Sequence, residues 1–316
     1  MKGSHVKAFV FPGQGSQSVG MGKIFYDTFS TSRAVFQEVD DALDQKLSQI
    51  IFEGPESDLV LTENAQPALM AVSLAIMAAL EKEMGIQIQD QVHYVAGHSL
   101  GEYSALAAAK AIPVGETAKL LRIRGRSMQK AVPVGQGAMA AILALEIEDI
   151  HALSAQAAQG QTCVMANDNC PGQVVISGNK EAVERAIEIA KELGAKRSVL
   201  LNVSAPFHCP LMQPAANAMQ EALENAEIST PVIPVITNVR AEPCQNPELI
   251  RALLVEQVTG MVRWRESIQK MATLGVNQIV EIGAGQVLTG LTKRINKDVL
   301  ATAINTPQDL EGFKNV

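Results

Sequence analysis

The chain has 316 residues, enough to bury a full core and more than one small domain needs. Hydrophobic residues make up 47% and charged residues 19%, a globular balance that excludes a disordered chain. The net charge of -7 gives no general attraction to nucleic acid or to an anionic membrane.

Val6–Phe11 reads as a buried strand that runs into Pro12-Gly13-Gln14-Gly15-Ser16-Gln17. Two glycines around one glutamine let backbone amides turn toward a ligand, although an ordinary strand-to-helix connection has the same look. A dinucleotide fingerprint would need its third glycine two positions before Gly20, and a P-loop would need a terminal Gly-Lys-Ser/Thr. Gly283-Ala284-Gly285 fails the dinucleotide test as well, since the next glycine is Gly290. With a strand starting at Val6, no secretory leader is expected, and a cytoplasmic protein is. A long helix is predicted near Glu63–Met84. Its apolar run, Ala68–Leu80, is too short to span a bilayer and reads as a buried helix.

The apolar run Val92–Ala96 leads into Gly97-His98-Ser99-Leu100-Gly101 and then a small-residue helix, Glu102–Ala111. Strand, tight G-x-S-x-G turn and helix form a nucleophile elbow, with the Ser99 hydroxyl at its tip. The Leu100 N–H, at the start of the helix, points to where an oxyanion would form. A second helix is predicted over Val114–Ala131. Arg122, Arg124 and Arg126 alternate along it, so on a 3.6-residue period at most one or two face a common cleft. Arg122 and Arg126 read as a solvated basic face.

The rhythm then changes. Strands Ala138–Leu145, Thr162–Ala166, Gln173–Ser177 and Arg197–Leu201 alternate with helices Glu148–Gln159 and Lys180–Leu193. This β-α-β-β-α-β order is the ferredoxin-like unit. Strands return at Val232–Thr237 and Gln278–Ile282. The expected fold is therefore α/β, a core with a mostly parallel sheet carrying an inserted ferredoxin-like subdomain. The large domain would take residues 1–132 and 204–316, and the small one 133–203.

A serine needs a base. Among five histidines, His5 is terminal, His93 lies in a predicted strand, His151 starts a surface helix, and His98 should leave the elbow on the side away from Ser99. His208 remains, as a candidate base or as an ordinary histidine at a helix N-terminus. The cysteines, Cys163, Cys170, Cys209 and Cys244, have no CxxC spacing and read as free thiols of a reducing compartment. No Cys/His cluster has zinc spacing.

Phe11-Pro12-Gly13-Gln14-Gly15-Ser16-Gln17 followed by Gly97-His98-Ser99-Leu100-Gly101 resembles the acyltransferase family of fatty acid and polyketide synthesis. The likeness continues through Arg122–Gln129, Val203–His208, Leu253–Gln257, Glu281-Ile282-Gly283 and Leu288–Leu291, and so covers essentially the whole chain. It implies a hydrolase-like core carrying a ferredoxin-like subdomain, with the active site in the cleft between them. It implies transfer of a malonyl group from malonyl-CoA to the phosphopantetheine thiol of acyl carrier protein, through a malonyl-serine and in ping-pong order. Ser99 would be the nucleophile, His208 the base and Gln257 the residue that orients the base, by its amide or backbone carbonyl. The backbone amides of Gln14 and Leu100 would hold the oxyanion. Arg124 would clamp the malonyl carboxylate, which a fork-shaped guanidinium does better than an ammonium. Phe207 would crowd a substrate branched at the α-carbon.

Coenzyme A thioester is then a substrate and phosphopantetheine belongs to the partner, so no metal or redox cofactor is expected. A serine hydrolase or thioesterase would account for Ser99 and His208, but not for Arg124 or the glycine-glutamine loop. An acyltransferase with another acyl-CoA preference is a further alternative. Carrier proteins are acidic and so is this chain, so docking needs a local positive patch. Lys191, Lys196 and Arg197, bordering the small domain, are preferred over Lys293, Arg294 and Lys297.

Overall fold

The structure, a computed structural model, describes residues 6–314. His5, read from the sequence as a terminal residue without a role, lies outside them. Ten strands form two sheets: β1 (Lys7–Phe11), β2 (Tyr94–Gly97), β3 (Gly137–Leu143), β4 (Cys163–Cys170), β5 (Gln173–Asn179), β6 (Arg197–Leu200), β7 (Val235–Ile236), β8 (Pro243–Cys244), β9 (Gln278–Ile282) and β10 (Leu300–Ile304). The first sheet has the order β10-β9-β1-β2-β7-β8 and is parallel except for β8. β1 is apolar on both sides because the sheet is covered on both faces. Phe9 and Phe11 enter one core cluster, with the helices Thr62–Lys82 and Val114–Ala131. Ala8 and Val10 enter the other, with Trp264, Ile268 and Leu288.

The second sheet is antiparallel, in the order β4-β5-β3-β6. The helices Ile147–Ala158 and Lys180–Glu192 pack on it through Ile150, Leu153, Val183 and Ala186, against Ile142 and Ile176. This is the ferredoxin-like arrangement expected from the order of elements.

Two strands have no counterpart in the sequence reading. β8 is two residues long, and β10 is an edge strand whose Leu300 is exposed. The apolar run at Ala68–Leu80 belongs to a 21-residue helix, Thr62–Lys82, which by length and composition could cross a membrane. It is instead a core helix, since nearly all of that length is buried by the surrounding protein.

The register of the central strands decides where the chemistry lies. Phe11 pairs with Gly97, so the loops that leave β1 and β2 emerge side by side. Ligands of open α/β sheets sit at this end of the strands. The approach is so close that side chains do not fit. A Cβ on Gly97 would lie 1.8 Å from the Gly101 carbonyl oxygen, and one on Gly101 would lie 2.3 Å from the Phe11 carbonyl oxygen. Gly101→Ala should therefore cost about 1–3 kcal/mol through overpacking. Gly290→Ala, with no neighbour within 4 Å of the added Cβ, should be neutral or slightly stabilising. Denaturant midpoints of the two variants check this, and equal midpoints would refute it.

Candidate active site

Ser99 has φ 53°, a left-handed conformation that costs energy in a non-glycine residue and aims its Oγ out of the turn. β7 pairs with β2, which brings the residues after β7 beside the elbow. There Asn238 clamps the turn. Its Oδ1 accepts from the Ser99 N–H at 2.8 Å and its Nδ2 donates to the Gly97 carbonyl at 2.7 Å.

His208 lies across from the elbow, with Nε2 2.7 Å from Ser99 Oγ. Its Nδ1 is 2.9 Å from the Gln257 main-chain oxygen and 3.1 Å from that of Gly260. Both are carbonyls and can only accept, so the ring proton sits on Nδ1 and Nε2 offers its lone pair to the serine hydroxyl. Burial pushes the imidazole pKa down to about 3, and the nearby Arg124 charge adds to that. The base is therefore neutral and ready to accept a proton at pH 7.

Arg124 is also buried, at 1% exposed. Its Nη1 donates to Gln66 Oε1 at 2.8 Å. Its Nη2 donates to Gln257 Oε1 at 2.9 Å and to Ser99 Oγ at 3.1 Å. A cation thus sits on the same oxygen as the base. The solvated face expected for Arg122 and Arg126 holds only for Arg126, which is exposed and paired with Glu63. Arg122 is buried and donates to Asn64 Oδ1 at 2.8 Å and to Gln45, so it ties its helix to the helix Thr62–Lys82 and to the turn at Gln45.

Gln257 is fully buried. Its main chain holds His208, while its side chain serves Arg124. The Gln257 Nε2 donates to Glu102 Oε2 at 2.7 Å and to the Ser99 carbonyl at 3.0 Å. Glu102 also accepts from the Asn238 N–H at 3.2 Å. Burial pushes its carboxyl up to about 7. Sequence reasoning missed Gln66, Glu102 and Asn238. A signal existed for Glu102, which is the one charged residue in the wholly buried helix Gly101–Ala108.

The remaining candidates take these places. Gln14 Nε2 lies 3.4 Å from Thr62 Oγ1. Among the described residues, the backbone N–H groups of Gln14 and Leu100 meet no acceptor. Phe207 packs into the main core next to His208 in the chain. His98 turns away from Ser99 as expected, bonding Asn169 Oδ1 at 2.8 Å and lying against Trp264. Cys209 is buried, donates to the Pro206 carbonyl and has its thiol pKa raised by burial, so it is no rival nucleophile. Lys196 and Arg197 are exposed at the start of the edge strand β6, and Lys191 pairs with Glu188. The arrangement fits nucleophilic acyl chemistry on a substrate that carries an anionic group close to the reacting carbon.

Comparison with known proteins shows the family of the chain. The acyl transferase domain family matches residues 8–306. A malonyl CoA-acyl carrier protein transacylase of Bacillus subtilis (strain 168) is 45% identical over 305 residues, 96% of this chain and 95% of that protein. The crystal structure of an acyl-carrier-protein S-malonyltransferase from Bartonella henselae superposes with a TM-score of 0.96 at 54% identity, covering 98% of both chains. A malonyl-transacylase solved with a type II polyketide acyl-carrier protein superposes at 0.94 with 43% identity, over 98% of this chain and all of that one.

The low basicity of His208 sets an expected pH behaviour. Labelling of Ser99 by a sulfonyl fluoride, followed by intact mass, should change less than about threefold between pH 8 and 5. An imidazole with the ordinary pKa near 6.5 would lose about thirtyfold over that range, and such a loss would contradict a base of low pKa.

Proposed function

Because the chain belongs to the acyl transferase family, we propose that it transfers a malonyl group from malonyl-CoA to the phosphopantetheine thiol of an acyl carrier protein, by way of an ester on Ser99. One observation carries this reading: base and guanidinium converge on one oxygen, with His208 Nε2 at 2.7 Å and Arg124 Nη2 at 3.1 Å from Ser99 Oγ. The base makes the hydroxyl a nucleophile. The guanidinium suits an acyl group with a free carboxylate two bonds from the thioester carbonyl.

In the first half-reaction His208 takes the hydroxyl proton while Oγ attacks the thioester carbon. The tetrahedral oxyanion is met by the N–H groups of Gln14 and Leu100, which are otherwise unengaged. The carbon–sulfur bond breaks, and coenzyme A leaves as thiol with the proton from His208. In the second, the carrier's thiol gives its proton to His208 and attacks the ester carbon. Ser99 then leaves and regains its proton. Phe207, buried beside His208, is assigned to excluding an α-branch. Every step uses side chains and backbone, with coenzyme A thioester as substrate and phosphopantetheine supplied by the partner. Four buried free cysteines suit a reducing, cytoplasmic setting.

Carrier docking is assigned to the patch of Lys191, Lys196 and Arg197. The strand β6 runs from Arg197 toward Ser204, whose Oγ is 3.1 Å from Thr62 Oγ1 beside Gln14. The rival cluster is less free, since Arg294 donates to Gln173 and to the Pro171 carbonyl. A structure in which a malonyl-transacylase of this fold holds a carrier protein supports a direct protein partner.

Mixing with malonyl-CoA should give a malonyl adduct by intact mass that Ser99→Ala lacks. Arg124→Ala should lose malonyl loading, by roughly 2–5 kcal/mol of transition-state binding, and spare or improve acetyl loading. Equal losses for the two acyl groups would make Arg124 merely structural, and malonyl-CoA hydrolysis without transfer would favour a thioesterase. Charge reversal at Lys196 and Arg197 should slow transfer to the carrier, weaken its salt dependence and leave loading from malonyl-CoA intact. A parallel fall in both half-reactions would move the docking site elsewhere.

A further inference from the structure

Glu102 is 2% exposed and, among the described residues, hydrogen-bonds to Asn238 and Gln257 rather than to Ser99 Oγ or His208, so the two half-reactions leave it without a task. It is nonetheless tied to them through Gln257. The side-chain amide of Gln257 has two faces that make opposite demands. On one side Arg124 Nη2, a donor that never loses its proton in practice, stands 2.9 Å from Oε1. On the other, Nε2 faces acceptors: Glu102 Oε2 at 2.7 Å, the Ser99 carbonyl at 3.0 Å and Asn238 Oδ1 at 3.3 Å. If the amide flipped, Nε2 would meet the guanidinium donor to donor, and Oε1 would face three acceptors.

Glu102 is the strongest of those acceptors and makes the shortest contact. Its orientation is fixed in turn by the Asn238 N–H at 3.2 Å, and Asn238 also clamps the elbow. We propose that Glu102 is a positioning residue: its carboxylate locks the Gln257 amide so that Oε1 holds Arg124 in place for the substrate carboxylate. The inference rests on the carboxylate clamp assigned to Arg124 above. A relay of Glu102, Gln257 and Arg124 thus sets acyl specificity from a residue that contacts no substrate. Burial that raises the Glu102 carboxyl toward 7 is tolerated because two N–H donors are aimed at one of its oxygens.

The test measures kcat and KM for loading from malonyl-CoA and from acetyl-CoA in variants of the full chain. Glu102→Met keeps the bulk and removes the acceptor. It should lower the malonyl-to-acetyl ratio of kcat/KM at least about tenfold, mainly by raising KM for malonyl-CoA. Glu102→Gln can still accept from Gln257 and should stay within about threefold of the parent ratio. In an Arg124→Ala background neither substitution should move the ratio further. If Glu102→Met does not fold, Glu102→Asp keeps the acid, withdraws the oxygen by about one bond length, and should show the same selective loss. Equal losses for malonyl and acetyl, or a loss of ratio that persists without Arg124, would overturn the role. Failure of the clamp shows differently, as equal losses in Arg124→Ala alone.

Discussion

The Arg124 guanidinium is almost wholly removed from water and, among the described residues, has no carboxylate in direct contact. A charge in that position is costly unless neutral dipoles take the place of its hydration. Gln66 and Gln257 do so with carbonyl oxygens, and the Ser99 hydroxyl supplies a third. Each of these partners has a second obligation. Gln257 must also present its main-chain oxygen to His208, which places it at one point on the helix Pro247–Thr259. Ser99 must hold a left-handed backbone, which Asn238 secures by bonding both ends of the turn. The solvation of one cation and the geometry of the candidate nucleophile are therefore a single network, with Glu102 behind it.

How much of this the sequence reveals depends on the range of the interaction. The elbow is local: glycines at 97 and 101 are demanded by contacts that would fall at 1.8 and 2.3 Å, and the strand and helix around them are written in adjacent residues. The ferredoxin-like unit is legible for the same reason, because its elements follow one another with clear periodicity. Arg124 and Arg122 differ by two positions and a turn of about 200°, which predicts that they diverge but not where each one goes. Arg122 was expected in water and lies buried against Asn64 and Gln45, residues 58 and 77 positions away. Gln257 is visible only by resemblance, and its two roles divide between backbone and side chain. Asn238 and Gln66 have no local signature, since an amide in a loop or helix becomes meaningful only when the sheet brings it to Ser99 or Arg124.

The same network bears on how the site tells acyl groups apart. The proposed acyl transfer requires His208 to carry a proton for an instant, yet its Nδ1 leans on carbonyls rather than a carboxylate, and the Arg124 charge is among the causes that depress its basicity. The candidate base is accordingly weak. On the proposed reading, a substrate carboxylate seated on Arg124 would offset that charge and so restore part of the basicity at the moment the nucleophile is needed. A neutral acyl group brings no such compensation. Discrimination would then act in the transition state as well as in binding, because the contact proposed to recognise the anion would also adjust the base. A carboxylate hydrogen-bonded directly to His208 would keep the base strong for any thioester and forfeit that coupling. In this geometry a backbone carbonyl on Nδ1, with the acid set back behind an amide, is the arrangement that would let the charge of a malonyl substrate take part in the proposed catalysis.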